Sequence, residues 1–349
     1  MLMKKTRAIV YAILAAAFYA VNIPVSKLLL NRVGAMTMAA LLYLGAGVGM
    51  GIVSLFDRKD KREKLNGKDL PFVIGMIVLD IAAPILLMLG LSMGHASNAS
   101  LLGNFEIVAT ALIALAVFGE TVSKRLWLAI ALITLSSILL SFDGAESFRF
   151  SYGSLPVIAA TICWGFENNC TRKISSKSTY EIVILKGVFS GLGALAIALI
   201  GKETAPPLSH IALALLLGFV AYGLSIFLYV RAQNVIGAAK TSAYYAVAPF
   251  IGAALSFLFL KEKPTWTYLA ALAVMILGTV FIVKDTLIRN HVHVHTHTFT
   301  HTHDGSTHTH TVTHSHAHNH YVTDDDHGHR HTLSELEKLP GASHRQLPL

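Results

Sequence analysis

The chain has 349 residues, 54% hydrophobic and 14% charged, where about a quarter of a soluble domain's residues carry charge. That composition excludes an ordinary soluble protein, because so much apolar surface has to face lipid. The net charge of +8 does not point to nucleic acid; its distribution follows membrane orientation instead.

A helix that crosses the hydrocarbon core needs about 20 mainly apolar residues. Ten stretches qualify: Ala8–Leu30, Ala35–Phe56, Leu70–Leu91, Asn98–Phe118, Leu126–Phe142, Gly153–Cys170, Tyr180–Ile200, His210–Val230, Ala238–Leu260 and Thr265–Val283. The runs are continuous rather than alternating, so they predict an all-α membrane protein and not a β-barrel. Lys4, Lys5 and Arg7 precede a first span rather than a cleavable signal, since no small-residue cleavage site with a polar start follows it. With the N-terminus inside, the cytoplasmic connections carry 17 Lys and Arg and the external ones 5. This bias predicts a multi-pass protein of the plasma (inner) membrane with both termini in the cytoplasm. Cys163 and Cys170 lie two helical turns apart, about 10 Å, which is too far for a disulfide; both are expected to be small packing residues.

The two halves of the body match at fixed offsets. At 142 residues, Gly45, Gly49 and Gly51 fall on Gly187, Gly191 and Gly193, Ser100 on Ser242, and Glu120 on Glu262. Before the second span the offset is 145, which pairs Tyr19 with Trp164, Asn22 with Glu167, Ser26 with Thr171 and Lys27 with Arg172. Five spans per copy turn the second copy upside down. Inverted repeats of this kind build alternating-access carriers with a site near the midplane. The expected domains are a first repeat over 1–147, a second over 148–289 and a tail over 290–349. The Gly-x-x-x-Gly pairs are read as close helix contacts, and such faces also suit a homodimer.

These residues resemble the EamA-type transporters of the drug/metabolite transporter superfamily. That family's first helix carries an aromatic-Gly-x-Asn motif followed by a basic residue. Trp164-Gly165-Phe166-Glu167 with Arg172, and Tyr19-Ala20-Val21-Asn22 with Lys27, look like its two copies. The Gly-Glu closing the family's fourth helix is matched by Gly119-Glu120, and its repeat partner by Lys261-Glu262. Ala248-Pro249 keeps the Pro of the usual Glu-Pro pair, while Glu106-Ile107 keeps the acid. The resemblance covers about residues 7–284. It implies a carrier with no bound cofactor for transport, moving amino acids, nucleotide-related metabolites, drugs or other small organics, often outward and sometimes coupled to protons.

Asp80, Glu106, Glu167 and Lys186 fall well inside spans, where a charge costs about 2.5–3.5 kcal/mol and must face a partner or a wet cavity. Together with Asn22, which aligns with Glu167, and Tyr222, which aligns with Asp80, they are expected to line a central substrate and proton cavity. Three carboxylates against one ammonium would suit a zwitterion or a cation. A carboxyl there can hold or release a proton, so Glu106 or Glu167 is a candidate proton carrier. The competing reading has Lys186 neutralise one carboxylate in a static buried pair. Lys27, Arg172 and Lys240 are expected to snorkel at span ends, and Tyr244 and Tyr245 to form part of an interfacial belt with one of them able to face the cavity. His95 and His210 are expected to be solvated.

Sixteen of eighteen histidines follow Asn290. His291, His293, His295, His297, His301, His303, His308, His310, His314, His316, His318, His320, His327, His329 and His331 are the candidate metal ligands, with Asp324, Asp325 and Asp326 beside them. Imidazole suits Zn, Ni, Co or Cu rather than Mg or Ca. Low hydrophobicity and the absence of a periodic apolar face predict a tail disordered without ligand, with Ser334–Glu337 able to open one short helix. The expected partners are therefore the lipid bilayer, a small-molecule solute and metal ions.

Two functions follow. One is a metabolite carrier, probing cytoplasmic metal through its tail as sensor or buffer. The alternative is a divalent transition-metal exporter fed by the tail, against which stands the lack of a histidine central in any span. An embedded enzyme or scaffold has less to support it: no nucleophile–base pair, H-E-x-x-H or Gly-rich phosphate loop is present.

Overall fold

The computed structural model describes residues 2–56, 63–118, 123–143, 149–174, 177–236, 241, 244–303 and 306–321, the stretch from 286 onward by its backbone. Two compact units result, Met1–Asp285 and Thr286–Leu349.

The first unit is helical apart from a two-residue ribbon, β1 (Phe142–Asp143) paired with β2 (Arg149–Phe150). It begins with α1 (Leu2–Ala20) and α2 (Asn22–Leu29). Together they make one apolar stretch, broken at Val21. The break has a covalent cause, because Pro24 has no N–H to offer the carbonyl of Ala20. Next come α3 (Ala35–Phe56) and α4 (Leu70–Met93), the latter led in by a 3-10 turn at Gly67–Asp69. That turn is capped reciprocally, Asn66 accepting from the Lys68 amide and Asp69 from the Asn66 amide. Pro84 interrupts the α4 ladder and frees the carbonyl of Asp80. The fourth stretch is divided into α5 (Ala96–Leu102) and α6 (Phe105–Phe118) by Gly103-Asn104, where the amides of Glu106 and Ile107 reach back only three residues.

There follow α7 (Lys124–Leu140), with Ser123 accepting from the Leu126 amide as N-cap, α8 (Ser154–Ile174) and α9 (Thr179–Ile200). Then α10 (Leu208–Gly218) widens through a π-turn at Phe219–Leu224 into α11 (Ser225–Ile236). The last two are α12 (Ala248–Leu260) and α13 (Trp266–Leu287). The sequence predicts the first, fourth and eighth stretches as unbroken spans; the structure interrupts all three.

Among the described residues, seven stretches are long and apolar enough to cross a membrane: Thr6–Leu29, Ala35–Phe56, Gly67–Met93, Ala96–Val117, Thr179–Ile200, Leu208–Ala232 and Trp266–Asp285. Outward positions on these helices, such as Val48, Ile52, Val78, Leu192 and Leu216, are exposed apolar side chains, as expected of a surface that faces lipid. The other three expected spans are not among them, and part of the ninth, at 238–240 and 242–243, lies outside the described residues. α7 has 17 residues and α12 has 13. α8 is long enough, but Glu167, Asn168, Asn169, Arg172 and Lys173 dilute its apolar content.

Small residues set the helix contacts. A methyl group added at Gly187 on α9 would lie 2.4 Å from the Gly47 nitrogen on α3, and one at Gly45 would lie 2.1 Å from the Leu215 carbonyl oxygen on α10. These glycines are consumed by packing inside the chain, as the spacing predicts. Of the glycines in these Gly-x-x-x-Gly pairs, Gly51 alone has nothing within 4 Å of an added methyl group. Cys163 and Cys170 are free thiols, Cys170 packing beside Val73, Met76, Ile174 and Ile182.

The second unit departs from the disorder expected of it. β3 (Ile288–His303) and β4 (Ser306–Tyr321) pair antiparallel along their whole length. The alternation that carries the histidines also places β-branched Thr or Val at many of the intervening positions, and such residues favour extended backbone. Asp304-Gly305 between them is a sequence suited to a two-residue hairpin connection. His327, His329, His331, Asp324–Asp326 and the expected short helix at Ser334–Glu337 lie outside the described residues.

Candidate solute-binding site

Inside the helical unit lies a cavity of about 570 Å³, walled by α1, the α5–α6 break, α8, α9, the π-turn and the start of α12. Its charged wall is built from three helices. Lys186 on α9 places its Nζ 3.0 Å from Glu167 Oε1 on α8 and 3.1 Å from Asp80 Oδ2 on α4. The Tyr43 hydroxyl donates to Asp80 Oδ1 at 2.8 Å and accepts from Trp164 Nε1 at 3.4 Å. Thr171, one turn beyond Glu167, donates to the same Glu167 oxygen. Asp80 is completely buried and Glu167 is 2% exposed, so neither charge is tolerable without Lys186.

A second polar group faces it. Asn22, at the start of α2, donates to the Tyr222 hydroxyl in the π-turn at 3.0 Å, while Ser26 donates to Asn22 Oδ1 at 3.0 Å. Glu106, in the first turn of α6, accepts from Asn168 Nδ2 at 2.7 Å, and Asn168 also reaches Thr110 at 3.2 Å. Among the described residues Glu106 has no cationic partner.

Of the six residues expected to line the cavity, Glu106, Glu167, Lys186 and Tyr222 do so. Asp80 and Asn22 stand behind the wall, each bonded to a residue that lines it. Tyrosines supply much of the rest, and the sequence pattern does not single most of them out. Tyr19 stacks edge-on against Tyr222 at 5.8 Å, and Tyr43 lies 5.3 Å from Tyr222. Tyr245 lies 5.9 Å from Tyr19 and 5.2 Å from Tyr229. Tyr245 therefore faces the cavity and Tyr244 is its exposed neighbour. Asn168, which fixes the Glu106 carboxylate, was also not foreseen.

Polar ties close the two ends of the helical unit. At one, Glu203 accepts from the Met36 and Thr37 amides at 3.1 and 2.8 Å, and Glu262 from those of Ala96 and Ser97 at 2.8 and 3.0 Å. Lys27 caps the far end of α4 through the Leu91 and Gly94 carbonyls at 2.5 and 2.8 Å, rather than snorkelling freely. At the other, Lys177 pairs with Glu63 at 2.9 Å and Glu181 accepts from the Leu65 amide at 2.9 Å. His95 and His210 are exposed or half-exposed. Lys240 and Glu120 lie outside the described residues. Among the described residues of the helical unit no three His, Cys, Asp or Glu come together to hold a metal ion.

A polar, charged cavity walled by apolar membrane helices is the equipment of a membrane transporter. The chain belongs to the EamA-like transporter family, which matches residues 6–142 and again residues 151–284, and so to the drug/metabolite transporter superfamily. An uncharacterized transporter of Methanothermobacter thermautotrophicus is 26% identical over 270 residues, 72% of this chain and 78% of its own. The uncharacterized transporter YyaM of Bacillus subtilis is 22% identical over 229 residues, 61% of this chain and 72% of its own. A solved structure, described simply as a crystal structure of a protein, superposes with a TM-score of 0.57 at 14% identity, covering 78% of this chain and 94% of that one.

Proposed function

We propose that the chain is a secondary transporter that exports a small organic metabolite bearing an ammonium group, an amino acid or a related zwitterion or cation, by alternating access. The observation that carries this reading is the charge balance of the cavity. Lys186 is shared between Asp80 and Glu167, and Glu106 has no cation beside it, so a solute with positive charge completes the site. Tyrosine faces around it favour the same charge, since an aromatic ring attracts a cation within about 6 Å. Ten spans in two inverted five-helix repeats, over 1–147 and 148–289, are the scaffold we infer for the motion. The double family match supports it, as does the pairing of α1 with α11 and of α4 with α8, which exchange under the repeat offsets. Both termini would then lie in the cytoplasm.

Asp80, Glu106, Glu167, Lys186, Tyr222 and Asn22 are the residues assigned to the solute and proton pathway, and the histidine-rich tail acts as a cytoplasmic sensor or buffer for Zn, Ni, Co or Cu. Metal export through the body is less well supported, because the Lys186 ammonium already sits between Asp80 and Glu167, where a divalent ion would need their oxygens.

Proteoliposomes carrying an internal pH dye, challenged with labelled amino acids and small amines, test the proposal. Solute-dependent proton movement should appear with the wild type and vanish with Glu106→Gln or Glu167→Gln. Undiminished coupled transport by both variants would remove these carboxyls from the pathway. Zn²⁺ flux that survives truncation after Arg289 and falls with those variants would replace the solute reading with metal export.

A further inference from the structure

We propose that the tail is a register-dependent metal site, in which adjacent cross-strand histidine pairs of β3 and β4 hold a divalent transition metal. This rests on the tail's proposed metal binding and goes beyond it, because it assigns geometry where composition gives only a supply of ligands.

Alternation within a strand puts its histidines on one face of that strand, since successive residues point to opposite sides. It does not decide whether two strands share the face. Here the register decides it: His291 pairs with His318, His293 with His316 and His295 with His314. In general each odd-numbered residue of β3 faces an even-numbered residue of β4. The histidines of β3 are all odd-numbered and those of β4 all even-numbered, so all twelve belong to one face of the hairpin. Thr and Val occupy most of the other.

The match depends on the register, which runs from Ile288 opposite Tyr321 to His303 opposite Ser306. A register shifted by a single residue would move one strand's entire set to the opposite face. Directly opposed residues lie about 4.5–5.5 Å apart between Cα atoms, close enough for two imidazoles to share one ion at metal–nitrogen distances of about 2 Å. Two neighbouring rungs offer four imidazoles, the number that a closed zinc site takes. Such an all-nitrogen set selects Zn, Cu or Ni over Mg or Ca.

The test exchanges neighbours without changing composition, and it keeps the His-x-His spacing within the exchanged set. In the full-length protein, His314→Ser/Ser315→His, His316→Ala/Ala317→His and His318→Asn/Asn319→His are combined, and Zn²⁺ affinity is read by competition with a chromogenic chelator. The expected result is affinity at least about tenfold weaker, the lower end of what lost support costs a metal site. Adding His291→Val/Val292→His, His293→Val/Val294→His and His295→Thr/Thr296→His returns both sets to a common face and should restore binding. Unchanged affinity in the β4 exchange, or no recovery in the combined one, would overturn the register and leave a metal-binding tail without it. Absence of Zn²⁺ binding by the wild type would overturn both.

Discussion

Asn22 donates to the hydroxyl of Tyr222 at 3.0 Å across 200 residues of chain. The repeat offsets convert this pair into Glu167 and Asp80, and those two residues also meet, through Lys186 at 3.0 and 3.1 Å. One contact is neutral and the other ionic, so the two sides of the cavity differ in chemistry while sharing a layout. Tyr222→Phe would leave the buried Asn22 amide without its acceptor. Stability should fall by about 1–3 kcal/mol, the cost of an unsatisfied buried polar group, measured by thermal unfolding in detergent. An unshifted melting temperature would mean that Asn22 finds another partner.

Lys186 has the larger effect. Lys186→Met leaves Asp80 and Glu167 buried with no counter-charge, and breaking a buried pair costs about 3–5 kcal/mol. Transport should be lost along with that stability. The combined variant Lys186→Met, Asp80→Asn and Glu167→Gln removes the charges together, so it should recover most of the stability while remaining inactive. If transport recovered with stability, the cluster would be structural, which is the static-pair reading of Lys186.

The charged part of this site is legible in the sequence because a charge in an apolar run is conspicuous and expensive. Asp80, Glu106, Glu167 and Lys186 declare themselves in that way, and the offsets add Asn22 and Tyr222. The sequence does not tell which of these reach the cavity: Asp80 and Asn22 are one layer back, a matter of helix rotation. Tyr19 stands out only as the repeat partner of Trp164, and Tyr43 and Tyr229 are hidden among the other aromatics of the spans, since a tyrosine's ring suits lipid as well as it suits a cavity wall. The helix breaks were half visible. Pro24 and Gly103 are present to be read, but a π-turn at Phe219–Leu224 leaves no residue signature. In the tail, alternation was visible and its pairing was not, because register depends on how two strands meet.

The glycine contacts give a packing prediction. At Gly187 a methyl group would sit 2.4 Å from one backbone atom of Gly47 and 2.5 Å from another, and backbone cannot move aside as a side-chain tip can. Gly187→Leu should reduce the yield of folded protein, since overpacking costs about 1–3 kcal/mol and sometimes more. Gly51→Leu should be silent, because nothing lies within 4 Å of that position. Equal loss in both variants, read by size-exclusion chromatography in detergent, would indicate that α3 contacts α9 differently.

Protons should compete with metal for the tail. Imidazoles with an ordinary pKa of about 6.5 are mostly neutral at pH 7 and free to ligate, whereas below that value they bind protons instead. Zn²⁺ affinity of the full-length chain should therefore fall steeply between about pH 7 and pH 5.5, and more steeply than one proton per ion, because several imidazoles must be freed for each metal. The same titration on a chain truncated after Arg289 should show little high-affinity binding at any pH. Comparable affinity in the truncated chain would locate the metal in the helical unit, where the carboxylates of Asp80, Glu106 and Glu167 would be the ligands to replace next.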